Sequence, residues 1–529
     1  MDVDRAALRR PLATAAVAAV PVAFLAVFFV YPLGTIVGRG LSETASSPFA
    51  GGDALRLAWF TTWLAALSTV LTLAAGLPLA AVVGRFGFRG RSLVLAGVLV
   101  PFVLPTLVVA TAFLALLPDA LDRSIWAILL AHAFFNVAVV VRVVGGYWAG
   151  LDRTTGAAAA VLGAGPLRRL REVTLPQLAP ALAAASALTF LFSFTSFGVI
   201  VVLGGPTTAT LETEIYNQAA RLFDLRTAAV LSLIQLTAVT AIVVVASRLE
   251  RRLSGRGGRA RGSSALRRPV GRERWLVGSV VAVSAGALAL PVATLVARSL
   301  AAPGGIGLDY YRALGRETSV LLVTPWHAAV NSLLFAAAAT ALALTLGGLL
   351  SLALARLRPG WLDALVLLPL GGSAVMIGFG FVLAFDEPPL ELRGSIALVP
   401  VAQALVAVPF VIRIVAPAIR SIRPELREAA ALLGADPARV RREIDLPLVA
   451  GAISLAAGFA FAIALGEFGA TVFVAQADRP TLPVAIFRLL GRPGAENQGA
   501  AAALAVVLAL LAATAALVAE RTGGRRSAL

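Results

Sequence analysis

Two arginine-rich segments, each lodged between long apolar runs, constrain this chain more than any other feature. One, IRPELREAAALLGADPARVRREIDLPLV, begins at Ile422, and a weaker copy, LDRTTGAAAAVLGAGPLRRLREVTLPQLAP, begins at Leu151. Aligning them pairs Gly163 with Gly434 and Pro176 with Pro447, both at an offset of 271 residues. Each segment has the shape of a short helix, a Gly turn, a second basic helix and a Leu-Pro stop. The same offset pairs Thr69 with Thr340, Arg85 with Arg356, Arg142 with Arg413, Phe197-Gly198 with Phe468-Gly469, and Thr210-Leu211 with Thr481-Leu482. A chain that repeats in this way is expected to fold as two halves of one topology.

The runs between these segments set the solvent. With 59% hydrophobic and 14% charged residues in 529 and a mean hydropathy of +0.89, the composition is that of a polytopic membrane protein. A hydrocarbon core of about 30 Å needs about 20 apolar residues per helix. Twelve stretches qualify, centred on 13–37, 58–84, 92–117, 125–147, 178–203, 227–247, 275–297, 326–355, 361–385, 396–418, 448–474 and 498–519. The expected fold is therefore an all-α polytopic membrane protein of about twelve transmembrane helices in two parallel six-helix repeats, related by an axis near the membrane normal. The first stretch follows Arg5, Arg9 and Arg10 and reads as a retained anchor. Ten arginines fall between Arg248 and Arg274 in a Gly/Ser/Arg-rich segment that reads as an unpacked linker. The expected organisation is a first half over 1–247, a cytoplasmic basic linker over 248–274 and a second half over 275–529. Positive-inside bias then places both termini and the linker in the cytoplasm, with the chain in the plasma membrane.

Composition also excludes function classes. A net charge of +17 could suggest nucleic acid, but the arginines are scattered between apolar runs, and membrane topology accounts for them. The chain has no Cys, so no thiolate metal site, and its two histidines, His132 and His327, read as satisfied by helix neighbours. Because Lys is absent altogether, no phosphate loop of the Gly-Lys-Ser/Thr kind can be present. An intramembrane enzyme would need convergent His, Ser or carboxylate groups, which these helices nearly lack.

The segment at Ile422 has a physical logic of its own. Pro424 fixes the chain direction, small residues over 429–431 permit close approach of a partner, and Gly434 allows a tight turn. Asp436-Pro437 starts the next helix, where a carboxylate is favoured by about 0.3–1 kcal/mol. Arg439, Arg441 and Arg442 can snorkel toward headgroups. Glu428-Ala429-Ala430, then Gly434, then Leu446-Pro447 resemble the EAA loop of permease subunits of binding-protein-dependent ABC importers. The first segment keeps Ala158, Ala159, Gly163 and Pro176 of that pattern and departs from it at Ala157, which stands where Glu428 stands in the second.

The resemblance implies a type I importer permease whose two loops dock on a dimeric ABC ATPase subunit. ATP would be used by that partner, no cofactor would be bound by this chain, and an extracytoplasmic binding protein would deliver the solute. Major facilitator secondary transporters also have six-plus-six repeats, but their basic motif is expected between helices two and three, not four and five. The fused arrangement is similar to thiamine and to ferric-iron permeases, and the outer segment from Leu203 looks more like the thiamine type. The candidate pathway runs along the fifth and eleventh helices, through Thr189, Ser193, Thr195, Ser196, Phe197, Tyr216, Glu467 and Phe468. Glu467 reads as a gating or packing element near a vestibule. A cationic aromatic ligand could use Phe197, Tyr216 and Glu467, and ferric complexes stay open as the alternative.

Overall fold

Apolar runs of this length can satisfy their backbone polar groups in lipid only as helices or as closed barrels, and the computed structural model shows helices. It describes residues 18–43, 52–152, 154–205, 207–254, 266–302, 305–318, 320–357, 372–386, 388 and 390–526. The first half comprises α1 (Ala18–Ser42), α2 (Gly52–Arg85), α3 (Arg91–Val103), α4 (Thr106–Leu116), α5 (Ile125–Ala149), α6 (Thr154–Val161), α7 (Pro166–Phe194), α8 (Gly198–Leu203), α9 (Leu211–Tyr216) and α10 (Leu225–Ser254). The second comprises α11 (Arg272–Leu300), α12 (Pro325–Leu357), α13 (Ala374–Ala384), α14 (Leu398–Arg420), α15 (Pro424–Leu432), α16 (Pro437–Gly466), α17 (Thr471–Val474), α18 (Leu482–Leu490) and α19 (Ala495–Arg526). Among the described residues, ten helices are long and apolar enough to span a membrane, or eleven when α3 and α4 count as one. This is an all-α, multi-pass membrane protein. Large apolar side chains such as Trp59, Leu93, Val283 and Leu290 stand exposed along the spans, as a hydrocarbon surround allows.

Three of the expected spans are broken. The stretch 92–117 bends by 98° between α3 and α4. There Pro105 forces Leu104 into extended backbone at ψ 132°, which ends α3. The stretch 178–203 breaks at 195–197, between α7 and α8, and 448–474 breaks at 467–470, between α16 and α17. In the stretch 361–385, α13 accounts for its latter part, while 361–371 lie outside the described residues. The breaks meet at the centre of the molecule. A Cβ on Gly466 would lie 3.0 Å from Pro105, and one on Gly469 would lie 2.8 Å from the Ala374 Cβ. Irregular backbone at this depth is tolerated because protein, and not lipid, surrounds it.

The 271-residue offset is visible as repeated contacts. The Thr61 hydroxyl on α2 accepts the Leu211 N–H at 3.1 Å, and the Ser332 hydroxyl on α12 accepts the Leu482 N–H at 2.6 Å. These bonds tie the start of α9 to α2 and of α18 to α12. The first helix of each half also reaches across: α1 packs on α10 of its own half and on α13 of the other, and α11 packs on α19 and on α4. Phe28 and Tyr31 of α1 meet Phe385, just past α13, with ring centroids 5.7 and 6.2 Å away. The exchange makes neither half a self-sufficient unit.

Within each half the tightest helix pair uses one glycine. A Cβ on Gly76 would lie 2.9 Å from the Val140 Cβ, and one on Gly347 would lie 2.9 Å from the Val411 Cβ, at the same offset. Close backbone approach of this kind drives helix association where the hydrophobic effect cannot. Gly348, one residue on, faces open space. Gly347→Leu is therefore expected to destabilise the α12–α14 pair by about 1–3 kcal/mol through overpacking. Gly348→Leu should be near neutral, and thermal unfolding of the two detergent-purified variants checks the difference.

The expected unpacked linker is partly ordered. Its first residues continue α10 to Ser254, and α11 begins within it at Arg272. Arg267 lies 5.2 Å from the centroid of the Phe86 ring, its carbonyl accepts the Gly87 N–H at 2.9 Å, and its guanidinium pairs with Glu273. A cation–π contact and an ion pair hold this end against the tip of α2, whereas 255–265 lie outside the described residues.

Candidate functional site

At one end of the bundle the two loops adopt the same conformation. In the first, α6 ends on Gly163 at φ +83°, with the Gly163 N–H donating to Ala160 and the Ala164 N–H to Ala159, at 3.0 and 2.9 Å. In the second, α15 ends on Gly434 at φ +82°, with Gly434 donating to Ala431 and Ala435 to Ala430, both at 3.0 Å. Each is a Schellman stop, and the left-handed residue is Gly because a Cβ would strain it. Pro166 and Pro437 then open the second helices, where Arg168–Glu172 and Arg439–Glu443 pair at 2.9 and 3.1 Å. One π-helical turn follows in each, Leu170–Thr174 and Arg441–Asp445, before Leu175-Pro176 and Leu446-Pro447 lead into the membrane.

Ala157, Ala158, Ala159 and Gly163 lie on or just past α6, and Glu428, Ala429, Ala430 and Gly434 on or just past α15, so all eight sit on the knuckles, with Glu428 exposed. Sequence reasoning missed the apolar tips. Val161 and Leu162 are 89% and 87% exposed, and Leu432 and Leu433 are both 89% exposed. Apolar side chains this bare at the polar end of a membrane protein need a cover, and the signal was available as Val-Leu-Gly and Leu-Leu-Gly. The loops differ mainly in bracing. Asp436 caps its helix by accepting the Arg439 N–H at 2.7 Å, where the first loop has Gly165. Arg427 of α15 pairs with Asp445 at the head of α16 at 2.8 Å. The positions one offset earlier are Gly156 and Thr174, which can form no such tie.

The centre of the molecule is closed by aromatic rings. Phe197 and Phe468, equivalent in the repeat, stack with centroids 5.2 Å apart and planes 15° from parallel. Tyr216 lies 5.2 Å from Phe197, Phe487 lies 5.1 Å from Phe468, and Tyr216 and Phe487, again equivalent, meet edge-on at 6.1 Å. Four rings from both halves thus form one plug about the pseudo-two-fold axis, with geometries that aromatic quadrupoles favour. Phe487 was not anticipated, although it stands 271 residues after Tyr216.

The remaining candidate pathway residues lie near these rings or on the helices that carry them. Glu467 is buried, and its two carboxylate oxygens accept the Ala470 and Thr471 N–H groups at 2.7 and 3.0 Å. It caps α17 at the break, and Ser196 holds the equivalent position. Thr195 is half-buried, its hydroxyl bonded to the Leu191 carbonyl at 2.9 Å. Thr189 and Ser193 are buried with no hydrogen-bond partner for their hydroxyls among the described residues, and line no open passage in this conformation. The expected cation–π use of Phe197 and Tyr216 meets a competitor: Phe197 is stacked on Phe468, and the Arg221 guanidinium lies 5.6 Å from the Tyr216 centroid. Sequence reasoning also missed Glu212, which is fully buried on α9 and accepts from Gln235 of α10. His132 bonds Ser68 of α2 at 2.9 Å, so a neighbouring helix satisfies its Nδ1.

Paired loops at one end of a duplicated helical bundle, with a plug where the halves meet, define a membrane transport permease. Residues 76–256 match the family of binding-protein-dependent transport system inner membrane components, a span that includes the first loop. Over nearly its whole length the chain is similar to the thiamine transport system permease protein ThiP of Brucella abortus, 28% identical over 93% of this chain and 94% of that one. It is also similar to ThiP of Escherichia coli, 25% identical over 88% of each. PhnV of Salmonella paratyphi A, named for 2-aminoethylphosphonate transport, is 29% identical over 42% of this chain and 85% of its own. The family match in the first half and the likeness to such permeases over nearly the whole chain support an ABC importer permease subunit.

Proposed function

We propose that this permease imports thiamine or its phosphate esters, with ATP hydrolysed by a separate ATPase dimer seated on the two loops and the ligand delivered by an extracytoplasmic binding protein. The observation that carries the reading is the similarity to ThiP proteins through both halves. The bare apolar tips at Val161-Leu162 and Leu432-Leu433 support a docked partner at both loops. Vesicles holding permease, ATPase and binding protein are expected to accumulate thiamine only with ATP. Uptake sustained by a proton gradient without the ATPase would reject the importer mechanism, and ATP-driven uptake of ferric ion but not thiamine would support the alternative substrate.

Orientation is part of the proposal. The loops, the linker and both termini face the cytoplasm, and the opposite end, carrying Leu222, faces outward. Because the chain has no native Cys, single replacements report cleanly. Leu222→Cys should react with an impermeant maleimide in intact cells, and Leu433→Cys only after permeabilisation. The reverse pattern would invert the topology.

A further inference from the structure

At the end of the bundle opposite the loops lies a cavity of about 540 Å³, within the roughly 300–1,000 Å³ of small-molecule sites. Three arginines from separate elements line it: Arg123 ahead of α5, Arg221 past α9, and Arg488 on α18 of the other half. None of the three makes an ion pair with a described residue. The single carboxylate in the lining, Glu214, is engaged by Gln218 at 2.6 Å. Tyr216 and Phe487 of the aromatic cluster also line the cavity, so whatever occupies it rests on those rings.

We propose that this cavity is an anion-accepting site in the permease itself, where a phosphoryl or phosphonyl group of the ligand is held by Arg123, Arg221 and Arg488 before the plug opens. Guanidinium forks match tetrahedral oxyanions bidentately, and three of them on one concave wall, Arg488 half-buried and Arg123 and Arg221 exposed, leave an excess of positive charge that a neutral or purely cationic ligand does not neutralise. The aromatic floor accepts the ligand's apolar or cationic remainder beside Glu214. Acidic side chains of a docked binding protein are the competing occupant. The concave shape and the rings of the gate in the wall favour the small molecule. The site rests on the importer reading and requires a ligand that carries an oxyanion, whatever the rest of that ligand is.

The test uses Ala209→Cys, a small-for-small change in the cavity wall, in the complete permease–ATPase complex in phosphatidylcholine nanodiscs. Relative to a free thiol, a sulfonate-bearing methanethiosulfonate should react about tenfold faster than its trimethylammonium counterpart, a steering effect of ordinary size for a charged cleft. Arg221→Gln with Arg488→Gln should abolish that preference. Thiamine monophosphate and 2-aminoethylphosphonate should each slow the labelling, and thiamine should not. Equal rates for the two reagents would overturn the site. Protection by the binding protein alone would assign the arginines to protein docking, and protection by added anionic lipid alone would assign them to headgroups. If vesicles fail to take up thiamine while the anionic preference and the phosphonate protection persist, the thiamine reading falls and the site stands.

Discussion

Vesicles carrying the permease with Phe197→Ala and Phe468→Ala together are expected to leak a small solute without ATP or binding protein. The two rings stack across the pseudo-two-fold axis and join Tyr216 and Phe487, which in turn line the outer cavity. Removing both rings leaves space at the axis, where equivalent residues of the two halves meet. An aromatic pair is worth about 0.5–1.5 kcal/mol beyond its burial. Losing it together with the buried ring area shifts the closed-to-open ratio by at least about tenfold. Phe197→Leu with Phe468→Leu keeps apolar volume at the axis and should leak far less. The measurement is efflux of a preloaded dye, with thermal unfolding of each variant to show that the bundle remains folded. A double alanine variant as tight as wild type, and still transporting, would remove the gate from this position.

How much of this was legible depends on what each feature needs from the rest of the chain. The loops could be read because a Schellman stop, a proline at the first helical position and an Asp cap are local demands, met by Gly434, Pro437 and Asp436 in order. The plug was half legible: Phe197, Tyr216 and Phe468 could be singled out, and Phe487 could have been by applying the offset once more. The breaks were not legible from hydropathy, which registers apolar length and is blind to where a helix stops. Leu104-Pro105 was a local clue, but the break at Glu467 is stable because its carboxylate caps the next turn, a fact of three-dimensional geometry. The arginine cavity draws residues from positions 123, 221 and 488, so no window of sequence contains it. The packed end of the linker likewise depends on Phe86, far from Arg267 in the chain.

Gly434→Trp should uncouple ATP hydrolysis from uptake almost completely, and Gly163→Trp should do so to a smaller degree. Both glycines stand in the left-handed region, at φ +82° and +83°, where any other L-residue costs about 1–2 kcal/mol. A Cβ at either site meets nothing within 4 Å, so the substitution strains the turn and covers the exposed tip without overpacking the membrane core. The strain is equal, and the difference comes from bracing. The Arg427–Asp445 pair, 39% and 21% exposed, ties α15 to the head of α16, so a push on Leu432-Leu433 is passed into the helix that ends at Glu467. A pair that is partly exposed contributes only up to about 1 kcal/mol of stability, which makes it useful as a brace and dispensable for folding. The first loop has Gly156 and Thr174 at those places and is the weaker lever. Binding-protein-stimulated ATPase activity and copurification of the ATPase, at matched expression, read the effect. Arg427→Gln should bring the second loop down to the behaviour of the first, so that the two tryptophan variants then differ little. Equal losses at Gly163 and Gly434 in the otherwise native chain would sink the asymmetry while leaving both loops as docking elements. Full stimulation and uptake in Gly434→Trp would remove the coupling role from the loop itself.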